Sequence, residues 1–153
     1  MPLNCKQNSL LLIIVFCGLA GCPTIAPYNQ KSYELTTSAK AEALIVLGKA
    51  TEPYKIHITE VEDLRLQVEK AYEYANGIPK NEIIVAMWNE IRGYSYQEDK
   101  KQWVAVDNGN LYSTLDLWKR QGTLNTSAAN EKKKQIAANF DQIVGLESGK
   151  NKK

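Results

Sequence analysis

Apolar and polar residues follow one another along most of the chain with the period of an amphipathic helix. Between residues 30 and 147, five stretches place apolar side chains three and four positions apart, which gives each stretch one apolar stripe in a helix. The predicted helices are 30–50, 56–76, 80–92, 110–121 and 127–147. The residues expected along the stripes include Val46, Leu47, Val61, Leu64, Val68, Ile84, Met87, Trp88, Ile91, Leu111, Leu115, Trp118, Ile136, Phe140, Ile143 and Val144.

Residues that end helices separate the five stretches. Pro53 follows the first, Gly77 and Pro79 follow the second, and Gly122 follows the fourth. Five amphipathic helices joined by short breaks predict an all-α fold, a small helical bundle over residues 29–147. Because no heptad pattern persists beyond about three repeats, a globular bundle is favoured over a long coiled coil.

Residues 93–109 lack a clear period and are expected to form a loop or short turn, although 102–106 also fits a strand. Three aromatic residues, Tyr94, Tyr96 and Trp103, lie in this stretch and outside the helical stripes. Exposed aromatic side chains on irregular segments are frequent anchors of binding surfaces. The segment 93–108 is therefore a candidate contact site for a protein or for cell-wall glycan. The alternative is that its aromatic rings fold back onto the bundle.

The first 21 residues differ from the rest of the chain. Residues 1–9 are polar with Lys6 as their one charged side chain, and residues 10–20 are an unbroken run of small or apolar residues. A membrane-spanning helix needs about 20 apolar residues, so this run is too short to be one. Its length and its position match the apolar region of a secretory signal peptide.

The apolar run ends in Leu19, Ala20, Gly21 and Cys22, a sequence that resembles the lipobox of bacterial type II signal peptides. The resemblance implies a signal peptide over residues 1–21, removed before Cys22. It also implies that the thiol of Cys22 carries a diacylglyceryl group, with palmitate-like chains that hold the protein on a membrane. Residues 22–28 would then be the lipidated amino terminus and a short tether, which two prolines keep extended.

The resemblance also implies where in the cell the protein is located. A lipoprotein of this type is exported, and in Gram-negative cells an aspartate after the cysteine usually retains it in the inner membrane. Residue 23 is proline, which favours the outer membrane, facing the periplasm, and leaves the inner membrane as the alternative. Residues 50–54 and 64–77 also resemble parts of small helical lipoproteins of Gram-negative bacteria, a likeness that implies no activity.

Charge and cysteine content exclude several kinds of site from the body of the protein, the residues after Cys22. The formal net charge of the whole chain is +2, which gives no field for attracting nucleic acid. All three cysteines lie at or before Cys22, so the body has no disulfide, no thiolate metal site and no cysteine nucleophile. No sequence motif indicates a cofactor or a metal.

Two groups of titratable residues are candidates for catalysis. His57 is the single histidine and is expected at the surface, with a proton-transfer role as the alternative. Carboxylates concentrate in the second helix at Glu60, Glu62, Asp63, Glu69 and Glu73. A pair of them with one raised pKa would suit glycosidase-like acid–base work, whereas interleaved basic residues favour a solvated helix face.

These observations predict a non-enzymatic module of the cell envelope that acts through contacts with an envelope protein, while acylated Cys22 binds membrane lipid. The alternative is a glycan-binding or weakly hydrolytic envelope protein that uses segment 93–108. A cleft lined by Tyr96, Trp103 and a pair of carboxylates would favour the alternative, and a filled bundle without a cleft would favour the first reading. Residues 148–153 are expected to be a disordered basic tail, and the oligomeric state is left open.

Overall fold

The structure is a computed structural model that describes residues 25–107 and 110–150. The expected signal peptide, the lipobox residues Leu19, Ala20 and Gly21, and the lipidation site Cys22 lie outside the described residues. The last three residues of the expected tail lie outside them as well.

Within the described residues the chain forms five α-helices and one β-hairpin. The helices are α1 (Gln30–Gly48), α2 (Ile58–Asn76), α3 (Glu82–Ile91), α4 (Leu111–Gln121) and α5 (Thr126–Gly149), and the strands between α3 and α4 are β1 (Tyr94–Gln97) and β2 (Gln102–Ala105). A 3₁₀ turn at Tyr54–Ile56 connects α1 to α2. The prediction of a small helical bundle of five helices is confirmed.

Asparagine side chains cap the amino termini of three of the helices. Asn29, Asn110 and Asn125 each accept a hydrogen bond from a backbone N–H three residues later, at distances of 2.8–3.0 Å. The other two helices begin two residues after their predicted starts. Before α2 the 3₁₀ turn uses residues 54–56, and before α3 Lys80 has a φ of 63°, which no α-helix accommodates.

Helix α1 packs against both α2 and α5, and α3 packs against α2 and α5. The core between them contains nearly all of the predicted stripe residues, and Trp88, Trp118 and Phe140 are fully buried. The indole of Trp88 meets the ring of Phe140 edge to face, with centroids 5.7 Å apart. The helical stripes read from the sequence therefore face the common core.

The segment expected to be a loop forms an antiparallel hairpin instead, in which Tyr94 pairs with Ala105 and Tyr96 pairs with Trp103. The strand alternative for residues 102–106 is thus confirmed. Gly93, with a φ of +90°, turns the chain from α3 into β1. A Cβ at this position would lie 3.0 Å from the side-chain oxygen of Asn110, so glycine satisfies both the backbone conformation and the close approach.

Helix α5 continues through Ser148 to Gly149, so the expected disordered tail does not begin at residue 148. The physical reason is Glu147, which is fully buried and accepts a hydrogen bond from Ser32 Oγ at 2.9 Å. The ammonium of Lys150 lies 3.2 Å from the Glu147 carboxylate, which fixes the last turn. None of the helices within residues 25–107 and 110–150 is long and apolar enough to cross a membrane.

Candidate functional site: an aromatic cleft beside the amino-terminal segment

The hairpin brings together two of the three aromatic residues that were expected to form a contact site. Tyr96 and Trp103 are cross-strand partners, and their ring centroids are 5.5 Å apart with an interplanar angle of 62°. Both side chains remain well exposed, at 41% for Tyr96 and 37% for Trp103. Since Trp88 and Trp118 are fully buried, Trp103 differs from them in offering its indole to a partner.

The aromatic pair forms one wall of an open cleft of about 590 Å³. The opposite wall is the loop between α2 and α3 together with the first turns of α3. The lining residues are Asn76, Gly77, Ile78, Pro79, Lys80, Asn81, Glu82, Val85, Ala86, Tyr96 and Trp103. Among these described lining residues, Glu82 is the one that carries a carboxylate. The cleft thus meets the aromatic part of the condition for the alternative, and its described lining holds one carboxylate where that condition asks for a pair.

Tyr94, the third candidate, does not line the cleft. Its side chain is half-buried, and its ring lies 5.3 Å from the guanidinium carbon of Arg92. The same guanidinium stacks on Tyr72 at 3.7 Å. Tyr94 therefore attaches β1 to the bundle through a cation–π contact instead of presenting its ring to a ligand.

A buried polar chain supports the floor of the cleft. Asn81 is only 3% exposed and donates to the backbone oxygen of Ala75 at 2.9 Å, while its own side-chain oxygen accepts from Lys150 Nζ at 3.0 Å. Lys150 also contacts the carboxylate of Glu147, which accepts a hydrogen bond from Ser32, so these side chains form one polar network. Sequence reasoning missed this group, although Glu147 extends the apolar stripe of α5 at the correct spacing.

The segment that would lead to the lipid anchor meets the edge of this cleft. The backbone N–H of Ala26 donates to the carbonyl oxygen of Lys80 at 3.0 Å, and Ala26 is 2% exposed. Three residues later, Asn29 accepts a hydrogen bond from the Tyr74 hydroxyl at 3.2 Å. The amino-terminal segment is therefore fixed on the bundle at residue 26, beside a residue that lines the cleft.

Among the carboxylates of α2, Glu69 belongs to a network with Arg92 and Tyr112 that joins α2 to α3 and α4. The Glu69 carboxylate accepts hydrogen bonds from Arg92 Nε at 3.0 Å and from the Tyr112 hydroxyl at 2.7 Å, and its other oxygen forms an ion pair with Arg92 Nη2 at 2.7 Å. Partial burial opposes ionisation of Glu69, but these donors outweigh it and lower its pKa. The hypothesis of acid–base catalysis requires a carboxyl group with a raised pKa, whereas the pKa of Glu69 is lowered. Glu62, Asp63 and Glu73 are exposed.

The expectation that His57 lies at the surface is wrong, because its side chain is 9% exposed. Nε2 lies 2.8 Å from a carboxylate oxygen of Glu52, and Nδ1 lies 3.2 Å from one of Glu60. Its ring packs on Trp118, with centroids 5.6 Å apart. The 3₁₀ turn before α2 moves His57 under α4, which local periodicity does not reveal.

The carboxylate of Glu60 has a second partner besides the imidazole. The ammonium of Lys49 donates to it at 2.7 Å, and this hydrogen bond is the main cause that lowers the pKa of Glu60. The arrangement connects the end of α1 to the start of α2. Within residues 25–107 and 110–150, no group of three His, Cys, Asp or Glu side chains is placed to hold a metal ion.

The chain was compared with models of protein families, with curated proteins and with solved structures, and none of them matched it.

Proposed function

We propose that this protein is a lipid-anchored module of the bacterial cell envelope, tethered through acylated Cys22, that binds its partner in the cleft beside Tyr96 and Trp103. The lipobox-like sequence 19–22 supports the anchor. The exposed aromatic pair supports the binding site, because tyrosine and tryptophan are enriched among the residues that dominate binding energy. That pair, placed at the wall of an open cleft, is the single observation on which the binding role rests.

The first candidate partner is a segment of another envelope protein. The cleft is open and mixes apolar side chains with polar ones, among them Asn76, Lys80 and Glu82. A mixed surface of this kind matches the composition of transient protein–protein interfaces. Binding without catalysis is proposed because acid–base hydrolysis of a glycoside pairs two carboxyl groups, and Glu82 stands alone among the described lining residues.

Cell-wall glycan is the second candidate, and the same aromatic pair favours it. The apolar face of a sugar ring packs on exposed indole and phenol rings, while side-chain amides and carboxylates bond its hydroxyl groups. Tyr96 and Trp103 supply the rings, and Asn76 and Glu82 supply the polar groups. The proposal for the anchor is the same with either partner.

Crosslinking in intact cells, followed by identification of captured proteins, tests the protein partner. The wild type is compared with the double variant Tyr96→Ala, Trp103→Ala. The matched control is Leu66→Ala, which removes a large apolar side chain that is 53% exposed on α2 and does not line the cleft. We expect the double variant to lose partners that the wild type and the control retain. If all three capture the same proteins, the cleft does not bind a protein partner.

Two further measurements complete the test. A Cys22→Ser variant should fail to incorporate labelled fatty acid, and incorporation that persists would refute the anchor. Co-sedimentation of the acylated protein with purified cell-wall sacculi tests the glycan. Loss of sedimentation in the double variant but not in Leu66→Ala would assign the cleft to glycan, and absence of wild-type sedimentation would dismiss that candidate.

A further inference from the structure

Several exposed side chains surround the point where the amino-terminal segment joins the bundle. Ile25 is 51% exposed and Tyr74 is 38% exposed, while Lys31, Pro79 and Lys80 are exposed too. They lie at one end of the bundle because Ala26 is hydrogen-bonded to Lys80 and Asn29 to Tyr74, and because Lys31 lies in the first turn of α1. We call Ile25, Lys31, Tyr74, Pro79 and Lys80 the tether-end face.

The distance from this face to the proposed anchor is short. Four residue steps separate Cys22 from Ala26, and an extended chain spans at most about 3.6 Å per residue, so the two Cα atoms are within roughly 14 Å of each other. The polar headgroup layer on each side of a bilayer is itself about 5–8 Å thick. Because Ala26 is fixed to Lys80, the tether-end face has little freedom to leave the membrane surface.

We propose that the tether-end face docks on the phospholipid bilayer that carries the Cys22 acyl chains, so that the cleft opens at the level of the headgroups. This rests on the proposed anchor. The chemistry of the face suits that surface: lysine ammonium groups attract lipid phosphates, and aromatic and apolar side chains settle at the boundary of headgroups and acyl chains. The partner of the cleft is then a group presented at the membrane surface.

Docking in this orientation places the other end of α1 away from the bilayer. Helix α1 has 19 residues, so at 1.5 Å per residue its far end lies roughly 28 Å from the tether end. Thr51 lies just beyond that far end and is exposed, and Pro79 is exposed on the tether-end face. The two positions therefore report opposite ends of the molecule.

The test uses the acylated protein, purified from membranes and reconstituted into vesicles of phosphatidylethanolamine and phosphatidylglycerol that contain a headgroup spin-labelled lipid. Acylation consumes the thiol of Cys22, and the body has no other cysteine, so Pro79→Cys or Thr51→Cys supplies one free thiol for a fluorophore. Because α1 separates the two labels by roughly 28 Å, we expect quenching at position 79 to exceed quenching at position 51 by about threefold or more. Equal quenching, or stronger quenching at position 51, would overturn the proposal.

Lengthening the tether tests its part in the orientation. A flexible insert of about 20 Gly and Ser residues between Thr24 and Ile25 adds a root-mean-square span of about 25 Å. We expect this insert to bring the quenching ratio close to one, and a ratio that remains at the wild-type value would contradict the role of tether length. The intact mass of each sample shows whether Cys22 is acylated. An unacylated cysteine overturns both proposals, whereas equal quenching of acylated protein overturns only the docking.

Discussion

Replacing Glu69 by glutamine removes the charge that connects α2 to α3 and α4. The carboxylate accepts a hydrogen bond from Arg92 Nε and one from the Tyr112 hydroxyl, and it forms an ion pair with Arg92 Nη2. Glutamine has nearly the same shape, so packing is retained. Its amide keeps one acceptor oxygen and places two N–H groups where the guanidinium donors point. The variant therefore isolates the electrostatic contribution of this network.

The expected cost lies between those of buried and exposed ion pairs. Breaking a buried pair costs about 3–5 kcal/mol, and exposed pairs contribute about 0–1 kcal/mol. The Glu69 side chain is 37% exposed and that of Arg92 is 15% exposed, so we expect Glu69→Gln to lower the free energy of unfolding by about 2 kcal/mol. For a domain of this size that corresponds to a fall in Tm of roughly 6–10 °C.

Urea unfolding at neutral pH, followed by circular dichroism, measures this loss. The matched control is Asp116→Asn, which breaks the Arg65–Asp116 pair, where the side chains are 30% and 51% exposed. We expect the control to cost about 0.5 kcal/mol or less. If Glu69→Gln costs no more than the control, the network does not stabilise the fold and the reasoning is refuted.

The same variant has a pH signature. The native pKa of Glu69 lies below its ordinary value of 4.5, so the native state binds fewer protons than the unfolded chain near that pH. Its contribution is complete above the unfolded pKa and is lost as the pH falls through the native pKa. The stability difference between wild type and Glu69→Gln should therefore shrink when unfolding is repeated at increasingly acidic pH. A difference that stays constant down to pH 2 would contradict the assigned shift.

Further predictions concern aromatic side chains and glycines. Trp118→Phe should cost about 1 kcal/mol more than Trp88→Phe in urea unfolding, because the buried Trp118 Nε1 donates to a backbone carbonyl, whereas the buried Trp88 Nε1 has no hydrogen-bond partner within the described residues. Equal costs would contradict this. Burial and the neighbouring Glu69 carboxylate raise the pKa of Tyr112 above 10.0. The free energy of unfolding should therefore fall as the pH rises beyond about 10, and it should fall less steeply in Tyr112→Phe. Parallel declines in the two proteins would contradict the raised pKa. Gly122→Ala should lower the free energy of unfolding by about 1–2 kcal/mol because Gly122 has a positive φ. Gly93→Ala should cost more, because its new Cβ would also contact the side-chain oxygen of Asn110. A smaller loss at Gly93 would show that this contact relaxes.

Local periodicity was sufficient to predict the helices and their buried faces. In α2, Val61, Leu64 and Val68 are fully buried, as expected from spacings of three and four residues. The apolar pattern predicts the starts of α2 and α3 two residues too early. The start of α2 depends on the 3₁₀ turn before it, and the start of α3 depends on the positive φ of Lys80. The spacing of apolar residues does not reveal either backbone conformation.

Contacts between distant residues could not be read from the chain. Ser32 and Glu147 are 115 positions apart and Glu69 and Arg92 are 23 apart, and helical patterns say nothing about which polar side chains meet. For the candidate site, the sequence did select Tyr96 and Trp103 as aromatic residues outside the stripes. It did not separate them from Tyr94, because that distinction depends on where the Arg92 guanidinium lies.

In the function proposed for this protein, the membrane-anchored chain meets its partner at Trp103. A photo-crosslinking amino acid placed at position 103 of the full chain, with position 66 on α2 as the comparison, measures this directly in living cells. We expect a discrete crosslinked product from position 103 that is absent from position 66 and is lost when Cys22 is replaced by serine. A product from position 66 but none from position 103 would show that Trp103 does not contact the partner.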